Sequence, residues 1–293
     1  MVNKKKTFIP VYLVLLIGLV FSPITAYAQS YFFSLDRETV DLFWQEDGTL
    51  SINYVFEFTN QPNGHPIEYV DVGLPNNQFS VSDITASVDG KVITFISASE
   101  YQGSGTGVAV GLGSNAIPPG GTGTVSVNIG RISNVLFPDT EADDYASAVF
   151  STTFFGSEYV TGATNLSLTY HLPPGVQPEE PRWHSSPAGF NESPITGIDN
   201  AGRITYTWRN SEADPSVGYK FGASFPSNYV PASAISKPTL WQQLGIPREA
   251  VMSLLCFGGF FAFMIFIIVV SVRSTRKRKM KYLPPKIRIE GHG

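Results

Sequence analysis

The segment Thr49–Thr59, with the sequence TLSINYVFEFT, decides the fold class. Apolar side chains occupy every second position, namely Leu50, Ile52, Tyr54, Phe56 and Phe58. The positions between them are polar, with the single exception of Val55. A period of two is typical of a β-strand that has one buried face and one solvated face.

The same alternation recurs along the chain between Tyr31 and Phe225. It is found in Thr124–Ile129, Asn165–Leu172, Arg203–Arg209 and Val217–Phe225. Asp47-Gly48 and Asp89-Gly90 lie between such runs, and Asp-Gly favours a tight hairpin because glycine accepts a positive φ. The pattern predicts an all-β body of antiparallel sheets, arranged as an immunoglobulin-like sandwich.

The size of this β body suggests more than one sandwich. The strand-rich segment is about twice the ~100 residues of a usual immunoglobulin-like domain. We therefore expect one sandwich over residues 29–131 and a second over 132–230, followed by a proline-containing stalk over 231–249. A single elaborated sandwich is the alternative.

An N-terminal signal peptide is predicted over residues 1–28. Lys4, Lys5 and Lys6 form a basic start, and an apolar run follows over residues 8–21. Ala26 and Ala28 then supply the small residues that a signal peptidase requires, with Gln29 as the new N-terminus. An uncleaved anchor helix is the alternative, and it also exports the body.

A transmembrane helix is predicted over residues 250–272, which are 23 residues without a charge. That length crosses a hydrocarbon core of about 30 Å. A basic tail over residues 273–293 follows, and positive residues beside a span hold that end inside. The sequence therefore predicts a single-pass type I protein of the plasma membrane, with the body outside and the C-terminus in the cytoplasm.

Charge is distributed unevenly between these segments. Residues 29–249 carry a net charge of −14, whereas residues 250–293 carry +7. The acidic body argues against nucleic acid as a partner. The expected partners are the lipid bilayer, anionic lipid headgroups for the tail, and an extracytoplasmic protein or glycan that the sequence does not identify.

Candidate sites are few, and neither a catalytic residue nor a cofactor is predicted. One cysteine excludes an intrachain disulfide. Four carboxylates crowd one segment, as a calcium loop requires: Asp139, Glu141, Asp143 and Asp144. The run lacks the glycine and distal glutamate of an EF-hand, so a solvated acidic loop is the better interpretation. His171 is expected to be exposed, and Trp208 to pack in the core.

One family resemblance can be stated from the start of the body. Ser34-Leu35-Asp36-Arg37, then Asp47-Gly48-Thr49-Leu50 and Tyr54–Phe58, resemble the opening of a family of predicted bacterial membrane proteins. Their N-terminal extracytoplasmic β domain has no known function. The run Ile117–Val125 is similar to a strand of bacterial immunoglobulin-like domains. The resemblance implies a signal peptide, a β-rich exterior and a membrane span, and it transfers no catalytic residues.

The function expected from the sequence is that of a membrane-anchored, extracytoplasmic β-sandwich module. We expect a non-enzymatic protein that binds a partner at the cell surface. A sensor or signalling subunit acting through the cytoplasmic tail is the first alternative. An extracytoplasmic hydrolase is the second, and a Ser–His contact or a deep pocket with converging carboxylates would favour it.

The signal peptide leads to a direct prediction. The mature chain should begin at Gln29, because peptidase cleavage follows Ala28. Mass spectrometry of the intact purified protein measures this. A chain that retains Met1 or Lys4 would instead identify the N-terminal segment as an anchor helix.

Overall fold

The computed structural model describes residues 30–103, 105–236, 257–261, 263–270 and 273. Two compact units divide the chain, Met1–Ser236 and Lys237–Gly293. The predicted signal peptide, and much of the predicted stalk and transmembrane segment, lie outside the described residues. In the second unit, residues 257–261 and 263–270 are helical. None of the helices in the described part of the chain is long and apolar enough to cross a membrane.

The described residues of the first unit form fifteen strands, joined by short 3-10 turns. The strands are β1 (Phe33–Trp44), β2 (Leu50–Asn60), β3 (Tyr69–Gly73), β4 (Ile84–Val88), β5 (Lys91–Ile93), β6 (Phe95–Ser99), β7 (Gly107–Gly111), β8 (Thr122–Ile132), β9 (Leu136–Pro138), β10 (Tyr145–Ser151), β11 (Thr164–His171), β12 (Arg182–Trp183), β13 (Ile195–Ile198), β14 (Ile204–Ala213) and β15 (Lys220–Pro226). The 3-10 turns are Val81–Asp83, Gly113–Asn115, Ser227–Tyr229 and Ala232–Ala234. The prediction of a mostly β body is confirmed.

One large sheet contains strands from both halves of the body. Its order is β13-β14-β11-β1-β2-β8-β4-β5. Arg37–Phe43 of β1 pairs in parallel with Asn165–His171 of β11, while the other pairs in this sheet are antiparallel. Strands from 29–131 and from 132–230 therefore share one hydrogen-bonded sheet. A single elaborated β unit describes this arrangement better than two tandem sandwiches, because the largest sheet contains strands from both sides of the boundary near residue 131.

The alternation in β2 is confirmed by burial. Its predicted inward set has at most 1% of its surface exposed. Rings stack along this face, with centroids 5.0 Å apart for Tyr54 and Phe56 and 5.9 Å for Phe56 and Phe58. The predicted inward residues of β8, β11 and β14 are buried as well. Side-chain periodicity alone was therefore sufficient to assign the inner face of four strands.

The last predicted strand differs in part from the structure. The strand begins at Lys220 and not at Val217. Val217 is exposed in a turn, and its N–H donates to the carbonyl of Asp214. Gly222 and Ser224, predicted to face solvent, are buried instead. The imidazole of His184 lies over Gly222, so both faces of β15 are covered.

Both predicted hairpins are confirmed. Asp47-Gly48 joins β1 to β2, and Gly48 has a φ of 77°. Asp89-Gly90 joins β4 to β5 with φ angles of 49° and 77°. Two positive φ angles in a two-residue loop give a turn whose twist matches the flanking strands.

Two smaller sheets complete the body, with strand orders β12-β15-β10-β9 and β3-β7-β6. β3 is thus an edge strand. A register shift between Leu35 and Arg37 interrupts the pairing of β1 with β2. Beyond this bulge the inward phase of β1 changes from odd to even residues, which buries Glu38.

The stability of the β2 face is testable by a matched pair of variants. Phe56→Ala should lower the free energy of unfolding by about 3–5 kcal/mol, because Phe56 is fully buried. Asn53→Ala, on the outer face of the same strand, should change it by less than about 0.5 kcal/mol. Urea unfolding of both variants measures the difference. Similar losses for the two would contradict the assigned faces.

Candidate functional site

A cavity of about 460 Å³ lies beside the edge strand β3. This volume falls within the ~300–1,000 Å³ of typical small-ligand sites. Its wall comes from distant parts of the sequence: Tyr31, Phe33, Phe58, Ile67, Tyr69, Val70, Asp71, Glu100, Tyr101, Gln102, Phe154, Phe155, Gly156 and Tyr159. The lining is mainly aromatic and contains two carboxylates, Asp71 and Glu100.

Aromatic side chains form the mouth of the cavity. The Tyr31 ring makes edge contacts with Tyr69 and Tyr159, at centroid distances of 5.7 and 6.3 Å. Tyr69 and Tyr159 are exposed at 48% and 39%. Deeper in the wall, the Phe155 ring packs edge-on against Phe33 at 5.5 Å. Rings that are held in place by one another present fixed π faces, to which cations are attracted.

Tyr101 fixes one end of the cavity. Its hydroxyl donates to the carbonyl of Phe154 at 2.5 Å and accepts from the Phe154 N–H at 2.6 Å. Burial raises the pKa of Tyr101, so the phenol stays protonated and keeps donating. The ring lies against Gly73, where an added Cβ would be only 2.6 Å away. A glycine at position 73 is therefore required for this close approach.

Asp71 brings an unpaired carboxylate oxygen into the cavity wall. Its Oδ1 is buried and has no hydrogen-bond partner among the described residues. Burial raises the pKa of this carboxyl, and the nearby Ser99 side chain offsets part of that rise. A buried polar atom without a partner destabilises the folded chain. A ligand that supplies the missing hydrogen bond removes that energetic cost. Asp71 is the polar group of this cavity with the clearest unmet requirement.

A second buried carboxyl lies close to the cavity. Glu38 is only 2% exposed, and its Oε1 has no partner among the described residues. Burial raises the pKa of Glu38 well above its ordinary value, so the folded chain favours the neutral acid. Burial also raises the pKa of Tyr54 and Tyr101, and the nearby Glu38 adds to both shifts. Polar groups thus extend from the core to the cavity wall.

Thr153 connects Tyr54 to the edge strand. Its hydroxyl donates to the Tyr54 oxygen at 3.2 Å and accepts from the Gly73 N–H at 3.1 Å. The core strand β2 and the edge strand β3 are therefore linked through one side chain. This link holds the Gly73 end of β3 against the segment after β10.

The predicted calcium residues are not assembled into a metal site. Asp139 Oδ1 accepts from the N–H groups of Glu141 and Ala142 at 2.7 and 3.1 Å, and Oδ2 accepts from the Ser224 hydroxyl. Both oxygens of this carboxylate are therefore already engaged, one with its own loop and one with β15. Asp143 and Asp144 lie in the same loop, and no group of three His, Cys, Asp or Glu in the described part of the chain is placed to hold a metal ion.

A Ser–His contact occurs, but its hydrogen-bond order differs from that of a catalytic serine. Ser224 Oγ lies 2.8 Å from His184 Nε2 and donates its proton to Asp139. An activated serine must instead donate to the imidazole. Burial lowers the pKa of His184, so a neutral ring donates to Ser224, which is itself only 2% exposed. The contact stabilises β12 against β15.

His171 is less exposed than the sequence predicted. Only 13% of its side chain is accessible, and Nδ1 lies 2.8 Å from Asp199 Oδ2. Its ring stacks on Phe43 at 4.1 Å. The sequence assigned its face correctly but could not show that these neighbours cover it.

The three tryptophans in the described part of the chain, Trp44, Trp183 and Trp208, form no common exposed surface on which a sugar could stack. Trp44 and Trp208 are buried in the core, as predicted for Trp208. Trp183 is 41% exposed and packs edge-on against Tyr206. Only one of the three indoles is thus available to solvent.

The cavity residues were missed by sequence reasoning. Asp71 and Tyr101 belong to no spaced motif, and their neighbours lie up to about 80 residues away along the chain. The available signal was a charged residue inside a short apolar run, Tyr69–Gly73. A buried carboxylate in such a run is uncommon without a partner.

Comparison with known proteins gives structural likeness only. No protein-family model and no curated protein sequence matches the chain. An M1 zinc metallopeptidase from Deinococcus radiodurans matches with a TM-score of 0.40 and 13% identity, over 67% of this chain and 42% of its own. Legionella pneumophila aminopeptidase A matches with a TM-score of 0.37 and 9% identity, over 69% of this chain and 22% of its own. A protein described as nutrient binding, also from L. pneumophila, matches with a TM-score of 0.40 and 13% identity, over 67% of this chain and 68% of its own.

The prediction of a non-enzymatic surface-binding module is corrected by this comparison. Zinc metallopeptidases, which are enzymes, are among the structures that match part of the chain. The chain spans about two fifths of the length of the M1 metallopeptidases and about a fifth of aminopeptidase A.

The buried Glu38 gives a pH-dependent prediction. The folded chain holds this carboxyl protonated, while the unfolded chain ionises it above its ordinary pKa of 4.5. The unfolded state then binds fewer protons, so the free energy of unfolding falls as pH rises, by up to about 1.4 kcal/mol per pH unit. Glu38→Gln removes this dependence, so the variant should gain stability over the native chain between pH 4.5 and 7.5.

Urea unfolding at three pH values within that range measures the effect. The control is Glu212→Gln, at an exposed position on β14. A Glu38→Gln variant whose stability follows the native pH dependence would contradict the assignment of a neutral buried acid.

Proposed function

We propose that the β body binds, in its aromatic cavity, a ligand that carries a compact organic cation beside an apolar group. The observation that carries this proposal is Asp71 Oδ1, buried in the cavity wall without a hydrogen-bond partner among the described residues. A protonated amine supplies both the charge and the donor that this oxygen lacks. The ligand class follows from the chemistry of that single group and its surroundings.

The aromatic mouth supports the same ligand class. Tyr31, Tyr69 and Tyr159 surround the entrance with rings in edge contact. A cation over a ring face gains about 0.5–2 kcal/mol, more when it is desolvated. The apolar part of the ligand would contact the Phe33 and Phe155 rings deeper in the wall. A ligand with an aromatic or aliphatic body next to its amine fits both regions.

Charge around the cavity has the matching sign. Glu100 lines the wall beside Asp71, and Glu68 lies close enough to Tyr31 to raise the pKa of that phenol, after burial and Tyr69. The body as a whole carries a net charge of −14 between residues 29 and 249. A negative surface raises the local concentration of cations and the rate at which they arrive.

The cellular location of the ligand-binding body is proposed from the sequence alone. We propose export by the signal segment 1–28 and anchoring by the apolar segment 250–272, with the basic tail in the cytoplasm. The cavity would then face the outside of the cell. The resemblance to predicted bacterial membrane proteins and to immunoglobulin-like domains supports the same arrangement.

Asp71→Asn tests the proposal directly. The probe is 2-phenylethylamine, and 2-phenylethanol is its neutral counterpart. Calorimetric titration of the purified full chain should detect binding of the amine and no binding of the alcohol. The Asp71→Asn variant should bind the amine at least about tenfold more weakly than the native chain does. Affinity should also fall as pH falls through the raised pKa of Asp71, because protonation removes the charge.

The matched control is Asp83→Asn, an exposed carboxylate outside the cavity lining. This variant should bind the amine as the native chain does. Equal affinity for amine and alcohol, or unchanged binding by a folded Asp71→Asn chain, would refute the proposal. Thermal unfolding of each variant establishes that it is folded.

A further inference from the structure

The backbone of β3 has one open edge. The Leu112 N–H donates to the Glu68 carbonyl, and the Leu74 N–H donates to the Thr106 carbonyl. Because hydrogen-bonded pairs alternate along an antiparallel ladder, the even residues between these points face β7. The N–H and C=O groups of Tyr69, Asp71 and Gly73 therefore point away from it. No strand in the described part of the chain pairs with this side of β3.

One end of this unpaired edge of β3 is blocked, and the other end lies along the cavity. The Gly73 N–H donates to the Thr153 hydroxyl at 3.1 Å, which ties this end to the segment after β10. Asp71 and Tyr69, which lie two and four residues before Gly73, line the cavity together with Phe154–Gly156. Tyr69 is 48% exposed at the mouth. The cavity is thus a slot along a strand edge, with Asp71 nearer the closed end.

We infer that the ligand is an extended peptide that enters the slot amino end first and adds to β3 as an antiparallel strand. This inference rests on the proposed recognition of an amine. The terminal ammonium group pairs with Asp71, the first residue lies opposite Asp71, and the third lies opposite Tyr69. Beyond the third residue the peptide leaves the edge near the exposed Tyr69, because the N–H and C=O of Ile67 are already paired with Ile117.

Backbone chemistry selects a peptide over an isolated amine. Tyr69 and Asp71 offer outward N–H and C=O groups, which an added strand satisfies with regular hydrogen bonds. Proteins usually protect such an edge with lysine, proline or a covering loop. β3 has the sequence YVDVG, which contains neither lysine nor proline, and the loop at residues 154–156 lines the same cavity as Tyr69 and Asp71.

Charge and apolar contacts fit the same occupant. Asp71 and Glu100 complement a free amino terminus, while an acetylated terminus would leave Asp71 unpaired. The Phe33, Phe58 and Phe155 rings suit an apolar first side chain. A peptide that begins with phenylalanine meets each of these requirements.

The probe is the pentapeptide amide Phe-Thr-Val-Ser-Val, titrated into the purified full chain. N-acetylation should weaken binding at least about tenfold, because it removes the charge that pairs with Asp71. N-methylation of the third residue should also weaken it about tenfold, because its N–H faces the Tyr69 carbonyl. N-methylation of the fourth residue is the matched control and should change affinity less than about threefold, since that N–H faces away from β3.

Each other outcome overturns the inference. Equal effects of the two N-methyl groups would exclude strand addition in this register. If 2-phenylethylamine binds and the pentapeptide does not, amine recognition stands and the peptide assignment fails. If neither binds, the proposed function fails first. A dimer of the unliganded chain that the peptide does not dissociate would assign the open edge to a second copy.

Discussion

The pairing of β1 with both β2 and β11 is the constraint on which the body depends. β1 is antiparallel to β2 over the full length of the hairpin and parallel to β11 over Arg37–Phe43. A parallel pair requires a long crossover, and here the intervening chain forms strands β2 to β10. Both halves thus bury their apolar faces against one sheet, which no short segment of the chain could do alone.

The bulge in β1 links this central strand to the cavity. The register shift between Leu35 and Arg37 changes which side chains face inward, so a carboxyl at position 38 enters the core. Next to it, Tyr54 hydrogen-bonds Thr153, which in turn holds Gly73. One irregularity in pairing therefore turns Glu38 inward, where uninterrupted alternation would have turned Arg37 inward. The closed end of the slot is built on these polar groups.

The cavity combines an unpaired carboxylate oxygen with an aromatic wall. Two other polar clusters are internally satisfied: Asp139 is fully engaged with its loop and Ser224, and His171 is paired with Asp199. Asp71, in contrast, presents a buried oxygen without a partner among the described residues, in a wall made of aromatic rings. Proteins tolerate such a group at binding sites because the ligand completes its hydrogen bonds. This contrast, rather than the partial likeness to metallopeptidases, is the basis of the proposed function.

Local periodicity was enough to determine strands but not their partners. Leu50 to Phe58 alternate because side chains of a strand point to opposite faces, and that geometry holds whatever the strand pairs with. The positive φ angles at Asp89 and Gly90 likewise follow from a local rule. The sequence by itself therefore determined the all-β class, the buried face of β2 and both hairpins. Only the tertiary structure decided that β1 pairs with β11, since nothing in an alternating pattern selects a partner about 130 residues away. The cavity depends on the same long-range choice, because Asp71, Tyr101 and Phe154 become neighbours only when the sheets pack.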